Sequence, residues 1–411
     1  GVCLAFGNNA SAIKDFFNGF TSLKYAISPM TRLGQPSSNG FVNEIKYNRE
    51  NYLAHSIVKS SANTQADNLF YEYRVGLFLN EKSKFYPCFL ETYGLFIYND
   101  EAAWRDTKST IRKDINVFER GTTLLNGDKS LSPQEFKDLL SRSCLDSKHL
   151  AVMIQHIKNA KTLGTVINDL RVQRNLSSTT QFYFTDLMNI LFQIYYPLSE
   201  LASVFTHYDL HTDNVILYQP FVNGHIEFHY EITPTKFISF KSKYISKIID
   251  YGRSYFKQGN HNSFKIHNML CGEVECAPNC GENYGYTWLD PTYNDMHINS
   301  SLRNMSHDLR LLNILKDFHN EMSQYFAFNS IRGEYNQFFP RVVYTGTYGT
   351  EELFSGPVGD IVNIVNANDV LVQILEQQMY QNKNDQNYTH SKKMGDLYIY
   401  KNGRPMKYIA V

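Results

Sequence analysis

The chain has 411 residues, with Lys+Arg 40 against Asp+Glu 40 and 43% apolar residues. That apolar share excludes a disordered chain, and the length suits two lobes better than one small core. The charge balance gives no excess for nucleic acid or an anionic membrane, and no apolar run approaches the ~18 residues of a membrane helix.

The opening run GVCLAFGNNASAIKDFF is short in apolar length and carries no basic leader, so no secretory signal is expected. Residues 40 to 60 read as two strands, NGFVNEIKY and YLAHSIVKS, joined by the polar turn NREN. ADNLFYEYRVGLFLNEK predicts a helix, with Asp67 as its N-cap and Leu69, Tyr73 and Phe78 on its apolar face. FLETYGLFIY reads as a strand. The charged stretch 99–147 reads as an insertion holding one amphipathic helix, LSPQEFKDLLSRS. HLAVMIQHI, residues 149–157, reads as a buried strand. Leu187, Ile190, Leu191, Ile194, Leu198 and Leu201 keep the rhythm of a buried helical stripe. NGHIEFHYEI and KFISFKSKYISKIID alternate as strands, and SHDLRLLNILKDFH predicts a further helix. The order is strands, helix, strands, then a mostly helical second half.

THYDLHTDNVILY, residues 206 to 218, sets Asp209 and Asn214 on a loop between a buried helix and a strand. A carboxylate there can accept a proton from an attacking hydroxyl, and an amide five residues on can hold a metal ion. IIDYGRS puts Asp250 at the end of an apolar strand, where a carboxylate suits a second Mg²⁺ ligand. Lys59 closes the strand SIVKS and Glu72 lies on the following helix, so the two can pair and steady a phosphate-binding lysine.

This ordered set resembles the protein-kinase superfamily. HYDLHTDN matches H-x-D-L-x-x-x-N, DYG matches D-F-G, SIVK matches V-A-I-K, and Gly40 and Val42 match the end of the glycine loop. Asp308 in SHDLRLL matches the aspartate that braces the catalytic loop. ADNLFYEYRVGLFLN, FLETYG and NMSHDLRLL look like kinase-like proteins of large DNA viruses, and Tyr 29 and Phe 28 beside Trp 2 agree with an A+T-rich genome.

The resemblance implies an α+β, bilobal protein-kinase-like fold with a β-rich N-lobe and a mainly helical C-lobe. The N-lobe would span 1–157, with the insertion at about 99–147. The C-lobe would span 158–411, with a catalytic loop at 207–214, a metal-binding loop at 250–252 and a long activation segment at 253–305. Lys59 would contact the ATP phosphates and pair with Glu72, and Asp209 would be the base or orienter for the acceptor hydroxyl. Asn214 and Asp250 would hold Mg²⁺, and Gln155 and Ile157 would border the nucleotide with Gly40 and Val42. A Ser/Thr protein kinase follows, with a protein substrate, no nucleic acid and no membrane segment, in the cytoplasm (host cytoplasm or virion for a viral protein).

Several positions depart from that pattern. Gln35 and Ser37 stand where glycines are expected, with Gly34 one step off; this opens the reading of a kinase-shaped binding module. His211 replaces the lysine of Ser/Thr kinases, as in small-molecule hydroxyl kinases. Tyr208 replaces the arginine before the catalytic Asp, so little dependence on loop phosphorylation is expected. An extended hairpin is expected between Asn214 and Asp250.

Of six cysteines, Cys3, Cys88 and Cys144 stand alone, as in a reducing compartment. Cys271, Cys276 and Cys280 with His267 offer a donor set for Zn²⁺, against the plainer reading of three reduced thiols on a loop. If zinc is held there, metal analysis of the purified protein finds about one equivalent, lost in the Cys276→Ser, Cys280→Ser variant.

Overall fold

The computed structural model describes residues 2–36, 40–64, 68–125, 131–259, 261–266, 287–288, 298–325, 337–344, 359–381 and 383–411. Alternation of apolar and polar residues builds the first lobe around one antiparallel sheet. Its strands are β1 (Ala26–Leu33), β2 (Gly40–Arg49), β3 (Tyr52–Ser61), β4 (Thr92–Tyr98), β5 (Arg112–Lys113), β6 (Thr122–Leu125) and β7 (Leu150–Gln155). They lie in the order β5-β1-β2-β3-β7-β4-β6. Phe41, Ile45 and Tyr47 of β2 and Val58 of β3 point into a core on one face, which leaves Val42 and Lys59, paired across the two strands, on the other.

The stretch read as an insertion is part of that lobe. Helices Glu101–Ser109 and Ile115–Gly121 bring Trp104, Ile115 and Phe118 onto the buried face beside Phe41 and Phe96, while β5 and β6 form the two edges of the sheet. The amphipathic helix runs over Pro133–Leu145 and opens on a capping box between Ser132 and Glu135.

The helix Leu69–Lys82 crosses the opposite face. Its cap is Asn68, whose side chain accepts the Tyr71 N–H at 3.0 Å; Asp67 lies outside the described residues. The sheet takes one side of this helix and the helix Pro133–Leu145 another, with the Phe70 and Phe136 rings 5.1 Å apart. Burial nearly all round is therefore why its sequence shows little polar face. Glu72 is thereby carried into the interior.

The second lobe is built on the buried helix Leu187–Glu200. The expected hairpin is there, as strands Gly224–Thr233 and Lys236–Ser242. It belongs to a four-stranded sheet, because Lys392–Ile399 adds in parallel to Gly224–Thr233 and Lys407–Ala410 completes the edge. The second lobe thus holds more strand than the sequence reading gave it, alongside helices Leu163–Gln173, Arg310–Tyr325 and Ile364–Tyr380. Among the described residues no helix is long and apolar enough to cross a membrane. The lobes are stitched where the Ile248 N–H donates to the Cys88 carbonyl at 2.8 Å, and the Met406 N–H to Lys84 at 3.0 Å.

Gly76 lets the Glu72 helix approach β4: a Cβ there would stand 2.7 Å from the Thr92 Cβ. Gly76→Ala is expected to destabilise by about 1–3 kcal/mol despite alanine's better helix propensity. Thermal unfolding checks this, and an unchanged midpoint contradicts so close a helix–strand contact.

Candidate active site

Lys59 leaves β3 on the face opposite the sheet core and meets two carboxylates. Its Nζ lies 3.1 and 2.9 Å from the two Glu72 oxygens and 2.9 Å from Asp250 Oδ1. Glu72 is 3% exposed and Asp250 40% exposed. The Lys59 ammonium, acting against partial burial, holds the Asp250 carboxyl down to about 2. Asp250 has φ 67°, the left-handed region that costs a non-glycine residue about 1–3 kcal/mol, so packing around the strand end must impose it.

Asp209 and Asn214 reach this place through main-chain geometry. Strand Val215–Tyr218 pairs with Ile245–Ile248, and the Ile249 N–H donates to the Asn214 carbonyl at 3.0 Å, so Asn214 sits opposite the residue before Asp250. The Asn214 Nδ2 donates to the Asp209 carbonyl at 2.8 Å, which closes the loop and leaves Oδ1 as the ligand atom of the amide. Asp250 spends Oδ1 on Lys59 and keeps Oδ2. A carboxylate and an amide oxygen at adjoining strand ends are the hard donors that suit Mg²⁺, so the residues fit that ion.

The loop itself is braced from within. Asp308, fully buried, accepts the His207 N–H at 2.8 Å on one oxygen and the Tyr208 N–H at 2.9 Å on the other. Burial pushes its carboxyl up, against those two bonds. His207 is a structural pin: its Nε2 donates to the Ile249 carbonyl at 3.0 Å and its Nδ1 accepts the Asp209 N–H at 3.2 Å, a tautomer assigned from these partners. Tyr208 takes φ 66° and is buried, and its hydroxyl donates to the Leu302 carbonyl at 2.7 Å.

The start of the segment after Asp250 is tied to the Glu72 helix. The buried Tyr71 hydroxyl bonds the Ser254 carbonyl at 2.5 Å and the Ser263 hydroxyl at 2.6 Å, while Ser254 Oγ donates to the His207 carbonyl at 3.1 Å. Tyr251 is buried, accepting from the Leu90 N–H and donating to the Ile248 carbonyl.

Other sequence-selected residues fall nearby or elsewhere. Val42 lies across from Lys59, and Gly40 sits where a Cβ would stand 2.9 Å from the Ser60 oxygen. Ile157 lies in the link between lobes, its carbonyl accepting from Ala160. Gln155 accepts the Glu91 N–H on its side-chain oxygen at 3.2 Å and donates its own N–H to the Glu91 carbonyl at 2.8 Å, so the residue is engaged with Glu91 on both its side chain and its main chain. Ser37, His267, Cys271, Cys276 and Cys280 lie outside the described residues.

Arg310 was missed by the sequence reading. Its Nη1 lies 2.8 Å from Asp209 Oδ1, and His211 Nε2 lies 3.8 Å from the same oxygen. One signal was available: an arginine in the first turn of a helix sits at the positive end of the dipole, a placement that disfavours it by roughly 0.3–1 kcal/mol unless a carboxylate is near.

No family model and no curated protein matches the chain. Among solved structures it is similar to WaaP, determined in complex with acyl carrier protein, at 7% identity over 66% of this chain and 78% of that one, TM-score 0.27. It is also similar to a Plasmodium kinase domain at 15% identity over 60% of this chain and 59% of that one, TM-score 0.29. Overlaps this loose carry no argument about the chemistry. The chain's own elements make the fold bilobal and kinase-like: a sheet bearing Lys59, one helix bearing Glu72, and a second lobe presenting Asp209, Asn214 and Asp250.

Because Asp250 titrates at about 2 when folded and near 4 when unfolded, its contribution to stability is present above pH 4 and lost as pH falls from about 4 toward 2. Urea unfolding at pH 5 and pH 3 is expected to show a smaller loss in Asp250→Asn than in the parent protein; equal losses contradict the Lys59 pairing.

Proposed function

We propose that the protein is a Mg·ATP-dependent phosphotransferase acting on a hydroxyl, with serine or threonine of a protein as acceptor. The observation that carries this reading is the Lys59 ammonium held between Glu72 and Asp250, beside a loop that offers Asp209 and Asn214. Lys59 would cradle the nucleotide phosphates, its position fixed by the buried Glu72. Asn214 and Asp250 would hold Mg²⁺, which when bound offsets the charge on the phosphates. Asp209 would accept the proton of the attacking hydroxyl. The rate gain would come chiefly from positioning and charge compensation.

A protein acceptor is supported by the surface beside the loop. Thr212 and Asp213 border a shallow depression of about 160 Å³ floored by Ile167, Leu315 and Phe318. Among the described residues it carries one carboxylate, which suits an extended chain better than a small polar molecule. The likeness to kinase-like proteins of large DNA viruses belongs to the same proposal, with the host cytoplasm or virion as its place of action.

Transfer from γ-labelled ATP with Mg²⁺, to the protein itself and to generic basic and acidic proteins, is the test. The parent protein is expected to transfer phosphate. Asp209→Asn should lose about 100-fold or more while nucleotide still shifts its melting temperature. No transfer and no nucleotide-induced shift would replace this reading with a kinase-shaped binding module. A shift without transfer to any protein would point to a small-molecule hydroxyl.

A further inference from the structure

The catalytic loop brings no permanent cation of its own to Asp209. The loop's His211 Nε2 lies 3.8 Å from the carboxylate, and burial lowers its pKa against the pull of Asp209. The permanent charge comes from another element. Arg310 reaches Asp209 Oδ1 at 2.8 Å, and both side chains are only 18% exposed. Arg310 stands two residues after Asp308, whose carboxylate holds the His207 and Tyr208 N–H groups. Brace and guanidinium therefore move as one rigid unit with the loop. The residue also sits at the unfavourable end of its own helix dipole, and Asp209 is the group that offsets that cost.

We propose that Arg310 is a positioning residue for phosphoryl transfer, fixing Asp209 so that one carboxylate oxygen is engaged and the other faces the acceptor hydroxyl. This rests on the phosphotransferase reading. In the step, the hydroxyl oxygen forms a bond to the γ-phosphorus. The bond from that phosphorus to the bridging oxygen breaks, and its electron pair leaves with ADP. The hydroxyl proton goes to Asp209 Oδ2, because Oδ1 is bonded to the guanidinium. A planar guanidinium fixes the carboxylate in direction as well as in charge, which a lysine at this place could do only in part.

Steady-state kinetics of Arg310→Gln and Arg310→Lys in the full chain, with Asp209→Asn and the Arg310→Gln, Asp209→Asn double variant, test this. Arg310→Gln is expected to lower kcat about 10- to 100-fold with KM for ATP unchanged, Arg310→Lys to recover part of the loss, and the double variant to match Asp209→Asn alone. A further loss in the double variant, or a rise in KM for ATP matching the fall in kcat, would mark Arg310 as merely structural. Activity of folded Arg310→Gln within two-fold of the parent overturns the proposal and leaves the phosphotransferase reading intact; a gain in activity makes the pair a brake and overturns it equally. A parent protein that transfers nothing fails the underlying reading, and this proposal with it.

Discussion

One ammonium between two carboxylates ties the lobes into a site. Lys59 belongs to the sheet, Glu72 to the helix lying on it and Asp250 to a strand end of the second lobe, so this contact sets the distance between three elements at once. Glu72 is buried, so breaking its pair with Lys59 is expected to cost roughly 3–5 kcal/mol. Arg253 also acts on Asp250, and with Lys59 it helps hold that carboxyl low.

Among the described residues, several ties around this cluster run through main-chain groups and hydroxyls. Asp308 holds two consecutive N–H groups of the loop, His207 pins the loop to the strand before Asp250, and Tyr71 and Tyr208 hold the following segment through carbonyl and hydroxyl oxygens. None of these needs an added phosphate. Tyr208 spends its hydroxyl on the Leu302 carbonyl. Arg310 brings a charge to the site from a helix start.

What was legible in the sequence was local. The strands carrying Lys59 and Gly40, the Glu72 helix and the loop from His207 to Asn214 announce themselves by period, by a polar cluster between apolar runs and by fixed spacing. What escaped was non-local. The cap fell on Asn68, one residue from the expected Asp67, since both side chains suit that role and only the entering backbone decides. Residues 99–147 read as an insertion in the first lobe because they are charged and polar; the packing of Trp104, Ile115 and Phe118 against the sheet core depends on contacts that no local pattern shows. Arg310 lies 101 residues from Asp209 in sequence, and no spacing rule links them.

The parallel pairing of Lys392–Ile399 with Gly224–Thr233 has a consequence for how the chain is made. About 160 residues separate the two strands, and the helix Ile364–Tyr380 lies between them in the chain, so the pairing must close a long loop. During synthesis the hairpin 224–242 emerges first and waits with its Gly224–Thr233 edge uncovered, a surface prone to wrong partners until residue 399 has left the ribosome. The loop bearing Asp209 is built from residues already present by then, so the chemistry is encoded in the middle of the chain while the lobe that supports it is sealed only near residue 410.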